Sequence, residues 1–174
     1  GAQRLAGRPE AAKDSYLKVL ELAPDHFDAR YNLAALYQVG SHWMEAEHEY
    51  LLLLEQRPEH DDVRYNLGFN YLKRREFEAA AAGFSHVLDR NPDHVRARRY
   101  LALAYESLDR NRKAVREFER LIQQGVEEQV YNHLARLYGK MGELEKAKEA
   151  RQKQRMLQRR EEIFERLREG TEQM

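Results

Sequence analysis

The chain has 174 residues, 30 basic and 30 acidic side chains, 42% apolar residues and no cysteine. That length suits one domain or a short stack of repeats with a packed core, and the balanced charge gives no overall argument for a nucleic-acid or membrane-surface partner. The missing cysteine excludes a disulfide framework, a thiolate nucleophile and cysteine-based zinc sites, and no apolar run approaches the roughly 18 residues that span a bilayer.

Residues 7–26 read as the second half of a repeated unit: Gly7 at a turn, then Ala12, Tyr16 and Val19, closed by Pro24. Residues 1–6 would be the stub of its first helix, and an array that begins inside a unit suggests a piece of a longer protein. Pro24, Pro58 and Pro92 are spaced by 34 residues, and Pro24-Asp25-His26, Pro58-Glu59-His60 and Pro92-Asp93-His94 repeat with them. The same shift aligns Arg30-Tyr31-Asn32-Leu33-Ala34 with Arg64-Tyr65-Asn66-Leu67-Gly68 and Arg98-Arg99-Tyr100-Leu101-Ala102; one residue is then dropped before Asn132-His133-Leu134-Ala135.

Each unit predicts two helices. The first carries a leucine, a small residue and a tyrosine on one face: Leu33, Ala34 and Tyr37, then Leu67, Gly68 and Tyr71, Leu101, Ala102 and Tyr105, and Leu134, Ala135 and Tyr138. The second places a small and an aromatic residue at i and i+4, as Ala46 and Tyr50, Ala80 and Phe84, and Ala114 and Phe118. Proline ends that helix because it excludes αR from the preceding residue. Asp25, Glu59 and Asp93 fall near the next helix start, where the dipole favours negative charge. Arg30, Arg64 and Arg98 are expected to lay their stems on apolar surface and send the guanidinium to water. In the last unit Arg151 replaces the aromatic of the second helix, which marks the end of the array. From 143 to 169 there is no Gly or Pro, which predicts a long charged terminal helix. It caps the last hydrophobic edge; a sharper reading makes it a partner-docking extension through Leu157, Phe164 and Leu167.

Small and aromatic residues in this order, the period and the closing proline resemble the tetratricopeptide repeat family, and the Tyr-Asn-Leu and Pro-Asp-His segments look like its bacterial members. The resemblance implies an all-α, right-handed superhelical solenoid of antiparallel helix pairs, with about four and a half repeats plus a long C-terminal capping helix. It makes residues 1–174 a single domain: a partial repeat over 1–26, full repeats over 27–60, 61–94 and 95–127, and a degenerate one over 128–161.

No chemistry-bearing motif competes with that reading. The four serines share no motif, Gly139-Lys140 is followed by Met141, and His48-Glu49 lacks the closing histidine of a zinc-protease helix. His26, His60 and His94 recur with the period, but successive helices pack about 8–10 Å apart whereas zinc–nitrogen bonds are about 2 Å. They are read as turn residues. The sequence therefore implies no enzyme, no catalytic residue, no cofactor and no metal.

In the family the first helices line the concave side and hold the ligand. That resemblance, with helical spacing, nominates Asp28, Tyr31, Asn32 and Ala35, then Tyr65, Asn66, Phe69 and Leu72, then Arg96, Arg99, Tyr100 and Leu103, and finally His133 and Arg136. The rings and leucines have the composition of interface cores. Asn32 and Asn66 could each pair with an extended backbone, or simply face water. Asp28 and Asp62 at one end, with Arg96, Arg99 and Arg136 at the other, would favour a peptide with an acidic end. A carboxylate clamp like that of some family co-chaperones is not expected, since its positions hold Tyr31, Ala35, Asn66, Arg96 and Tyr100. The expected partner is a protein or extended peptide, with no nucleic acid and no direct membrane insertion. Two rival expectations are a scaffold that oligomerises through its ends or tail, and a docking region of an enzyme whose catalytic part lies elsewhere.

Overall fold

The computed structural model describes residues 2–127 and 129–172, and its described elements are all helices. They are α1 (Ala2–Leu22), α2 (Phe27–Val39), α3 (Trp43–Gln56), α4 (Asp61–Lys73), α5 (Phe77–Arg90), α6 (Val95–Ser107), α7 (Asn111–Gln123), α8 (Val130–Lys140) and α9 (Leu144–Glu172). Two compact units divide the chain, residues 1–100 and 101–174, with the boundary inside α6. α1 runs unbroken through Gly7, where a turn was expected. Ala, Arg, Leu and Glu around that glycine are strong helix formers, and one Gly costs only about 1 kcal/mol.

Within a helix pair the connection is a left-handed cap. Ser41, Arg75, Asp109 and Gly142 have φ of 62°, 64°, 52° and 77°. The amide of the following residue reaches back to the tyrosine carbonyl at the helix end, as His42 to Tyr37 (2.8 Å), Glu76 to Tyr71, Arg110 to Tyr105 and Glu143 to Tyr138 (2.9 Å each).

Between pairs, the proline does what the sequence predicts: Arg57 and Asn91, just before Pro58 and Pro92, have φ/ψ of −136°/84° and −128°/85°. The histidine two residues after each proline has a more definite role than filling a turn. His26, His60 and His94 accept at Nδ1 from the amides of Ala29 (3.2 Å), Val63 (3.4 Å) and Ala97 (3.1 Å), satisfying a free donor in the first turn of α2, α4 and α6. The repeated arginine corrects another expectation. Arg30 and Arg64 donate from Nη2 to the carbonyls of Pro24 (2.6 Å) and Pro58 (2.5 Å), and Arg98 does the same to Pro92. The guanidinium is thus turned back onto the preceding junction, because an exposed carbonyl lies within reach and a charge-assisted bond there is strong.

In residues 1–100, Ala46, Ala80, Tyr50 and Phe84 are fully buried, as are Leu53, Val63 and Val87. α4 and α5 cross closely: a Cβ on Gly83 would lie 3.3 Å from the Cα of Gly68, and one on Gly68 would lie 3.1 Å from the Phe84 ring. Asn70 is also fully buried, its Nδ2 donating to the Trp43 carbonyl at 2.7 Å and so tying α4 to the start of α3. In residues 101–174, α7 buries Ala114, Val115, Phe118 and Leu121, α8 buries Leu134, Ala135, Leu137 and Tyr138, and α9 contributes Ala147 and Ala150. Arg151 is exposed, and the side chain of Leu167 lies outside the described residues.

Candidate functional site

The nominated residues do not form a row of free side chains. Successive first helices pair, with position five of one repeat meeting position six of the next. Asn66 donates from Nδ2 to the Tyr31 hydroxyl at 2.8 Å, and the Gln38 amide donates to the Asn66 carbonyl at 2.9 Å. One N–H of the Asn66 side chain is therefore used within the fold, whereas Asn32 is exposed. Burial, then the charge of Asp62, raises the Tyr31 phenol, with the Asn66 bond acting in the opposite direction.

One repeat further on the same positions hold rings. Tyr65 lies 6.2 Å from Tyr100, 5.9 Å from Phe84 and 5.0 Å from His94 between ring centroids. Phe69 meets Tyr100 edge-on at 5.2 Å, and Tyr100 stacks on Phe84 at 5.6 Å. Such pairs add about 0.5–1.5 kcal/mol each beyond their burial. Tyr65, Phe69, Tyr100 and Leu72 remain partly exposed above fully buried Phe84. The Tyr65 phenol is raised by burial first and by Tyr100 next, against the lowering charge of Arg96. Asp28, Asp62 and Arg96 are exposed beside these rings' helices, while Ala35 and Arg99 are half-buried.

In residues 101–174 the corresponding surface is polar. Leu103 is half-buried. His133 stacks on Phe118 at 4.7 Å and its Nδ1 lies 2.7 Å from Glu106 Oε2; Arg136 donates from Nε (2.8 Å) and Nη2 (2.6 Å) to Glu106 Oε1. Burial alone would raise the Glu106 carboxyl, but the hydrogen bonds and charges of His133 and Arg136 outweigh it and hold the group below its ordinary 4.5. The charge of Arg136, expected to face an acidic ligand, is instead matched by a carboxylate of the same unit. The neutralisation of Arg136 by Glu106 does not follow from the helix-face assignment alone. The signal was available, because position twelve of one repeat meets positions six and nine of the next.

Models of the tetratricopeptide repeat match residues 70–128, 15–48, and 3–26 with 128–153. The chain belongs to the tetratricopeptide repeat family. A crystal structure of MamA superposes with a TM-score of 0.84 at 20% identity, covering 93% of this chain and 95% of that one. MamA from residue 41 to the end, from Desulfovibrio magneticus RS-1, gives 0.82 at 22% identity over 90% of each. A tetratricopeptide repeat protein from Parabacteroides merdae ATCC 43184 gives 0.68 at 28%, over 87% of this chain and 59% of that one. No curated protein matches at a significant level. The tetratricopeptide repeats of this chain place it among protein-interaction modules of the scaffold type, and none of its described helices is long and apolar enough to cross a membrane.

Proposed function

We propose that this repeat protein is a non-catalytic scaffold that holds a protein or extended peptide against the first-helix face of residues 27–100. The half-exposed ring set of Tyr65, Phe69 and Tyr100 carries this reading. It is rigidly supported by Phe84 from below, so a partner's apolar side chain can be covered with little ordering of the scaffold. Exposed Asn32 and Asp28 extend the surface along α2, and Arg96 supplies a cation beside the rings. Asn66 acts as a brace for Tyr31. Leu103, His133 and Arg136 form a separate patch in the second unit.

A photo-crosslinking amino acid at Asn32 or Phe69, with Ala82 on α5 as control, tests the proposal in native extract. Capture of the same protein from Asn32 and Phe69, and none from Ala82, is the expected result. Capture from Ala82 alone would move the surface to the second helices. A second reading, self-association, is favoured by Leu22 and Val39, which are 90% and 85% exposed. A solution mass equal to one chain at micromolar concentration would remove it.

A further inference from the structure

The chain as a whole has no net charge, yet the charges of α9 are sorted by side. At about 100° per residue, residues 152–166 divide into two half-cylinders. One half carries all the cations of the segment (Lys153, Arg155, Arg159, Arg160 and Arg166), its exposed apolar side chains (Met156, Ile163 and Phe164) and Gln152. The other half carries all its carboxylates (Glu161, Glu162 and Glu165) and no cation. The side chains that anchor α9 on its own unit, buried Ala147 and Ala150 and half-buried Leu157, also fall on the acidic side. The cationic half therefore looks outward, and among the described residues none of its five cations has an acidic partner.

The acid-free half is also ordered within itself. Met156 and Ile163 lie within about 10° of its midline, Arg159 and Arg160 about 50° to either side, and Arg155 and Phe164 at its two edges. Met156, Ile163 and Phe164 are 60%, 50% and 65% exposed, and every side chain from 158 to 166 is exposed. A helix that only capped the array would present polar side chains along such an outward midline.

We infer that the acid-free side of α9 docks on an anionic lipid bilayer, with the helix lying in the headgroup plane. Met156 and Ile163 dip toward the acyl chains, the arginines on both shoulders reach the headgroup anions, and Glu161, Glu162 and Glu165 stay in water. A cluster of about four to eight Lys or Arg on an amphipathic helix is what anionic lipid attracts. The width of the surface selects a bilayer over a protein segment. Arg155 and Phe164 lie about 180° apart, beyond the reach of one packed helix, whereas a headgroup layer wraps half of a helix sunk into it. A row of nucleic-acid phosphates would leave the apolar midline without a partner, and a second copy of this face is repelled by like charge. Two deep apolar side chains are few, so charge supplies most of the attraction and attachment is reversible. The surface is independent of the Tyr65, Phe69 and Tyr100 set.

The test uses the whole chain with vesicles of phosphatidylcholine alone, vesicles of phosphatidylcholine and phosphatidylserine in equal parts, and poly-L-glutamate as an acidic polypeptide. Flotation should show binding to the phosphatidylserine vesicles that weakens as salt rises, and none to phosphatidylcholine alone. Triple reversal Arg155→Glu/Arg159→Glu/Arg160→Glu should lower partitioning by roughly tenfold or more, and Met156→Asp/Ile163→Asp by a comparable factor. All of these positions are exposed, so circular dichroism of both variants should be unchanged. Ile163→Trp should give an emission that shifts to the blue on vesicles, beyond any response of Trp43 in the parent chain. Phe69→Ala should leave vesicle binding intact, which separates this surface from the rings. No binding to phosphatidylserine vesicles at low salt, equal binding to both vesicle types, or unaltered partitioning in either variant would overturn the inference. Binding of poly-L-glutamate through the same arginines, without vesicle binding, would overturn it in favour of an acidic protein partner.

Discussion

The two units treat the same repeat positions in opposite ways. In residues 61–100, positions five, six and nine are Tyr65, Tyr100 and Phe69, and successive first helices meet through rings over a buried phenylalanine. In residues 101–174, positions twelve, six and nine are Glu106, His133 and Arg136, and the helices meet through a carboxylate shared by two donors. One geometry therefore serves two chemistries. Register is set by the buried leucine and small-residue positions of the first helices and the buried aromatic of the second, and the outward positions are free to be apolar or ionic provided each finds its partner in the next repeat.

The comparison breaks most visibly if the two cores differ. Phe84 and Phe118 are at most 1% exposed, so Phe84→Ala and Phe118→Ala should each cost about 3–5 kcal/mol in urea denaturation. A loss under about 1 kcal/mol in either would show that its ring is not a packing element. The glycines sharpen the contrast. Gly83→Ala presses a methyl group onto the α4 backbone and should cost about 1–3 kcal/mol. Gly139, in the last turn of α8 with nothing within 4 Å of an added Cβ, should gain up to about 0.5 kcal/mol on Gly139→Ala. Thermal melts of both variants decide this, and equal signs would refute it.

Titration probes two of these contacts in different pH ranges. The folded-state carboxyl of Glu106 is depressed, so its contribution is complete above about 4.5 and is lost as pH falls through the lower folded value. Glu106→Gln should cost about 1 kcal/mol at neutral pH and flatten the acid limb of a stability–pH curve. Tyr71 in the first unit is pushed up to about 12, by burial and then by hydrogen bonding and charge from Glu47. Its contribution is complete below the ordinary 10.0 and disappears as pH rises toward 12. Tyr71→Phe should remove part of the alkaline limb and leave the acid limb unchanged. The smallest effect belongs to the caps: Arg75 holds φ at 64°, so Arg75→Gly should raise stability by about 0.5 kcal/mol, whereas Gly142→Ala should lower it.

The helix pairs, the buried Ala and aromatic positions and the proline stops were legible because each follows from spacing inside one repeat. The roles of His26, His60 and His94 were partly legible, since a histidine three residues before a buried Ala or Val can cap the helix it begins. What escaped was the pairing between repeats. Asn66 looked like a ligand contact because its partner, Tyr31, lies 35 residues away in the chain, and Arg30 looked solvated because a proline carbonyl carries no sequence signal of its own. Gly83 was passed over for a similar reason: its meaning lies in the backbone of Gly68.

The arginine that grips the proline carbonyl has a consequence for how the array bears load. Three junctions are clamped, at Pro24, Pro58 and Pro92. The connection between α7 and α8 has neither residue: Tyr131 stands where the arginine would be, no proline precedes it, and Gly125 and Gln129 turn the chain at φ of 78° and 60°. Under tension or a partner's pull the unclamped link should yield first, and amide exchange around Gly125 should outpace that around Asn91. The repeat array would then have a built-in weak link one helix pair before its end.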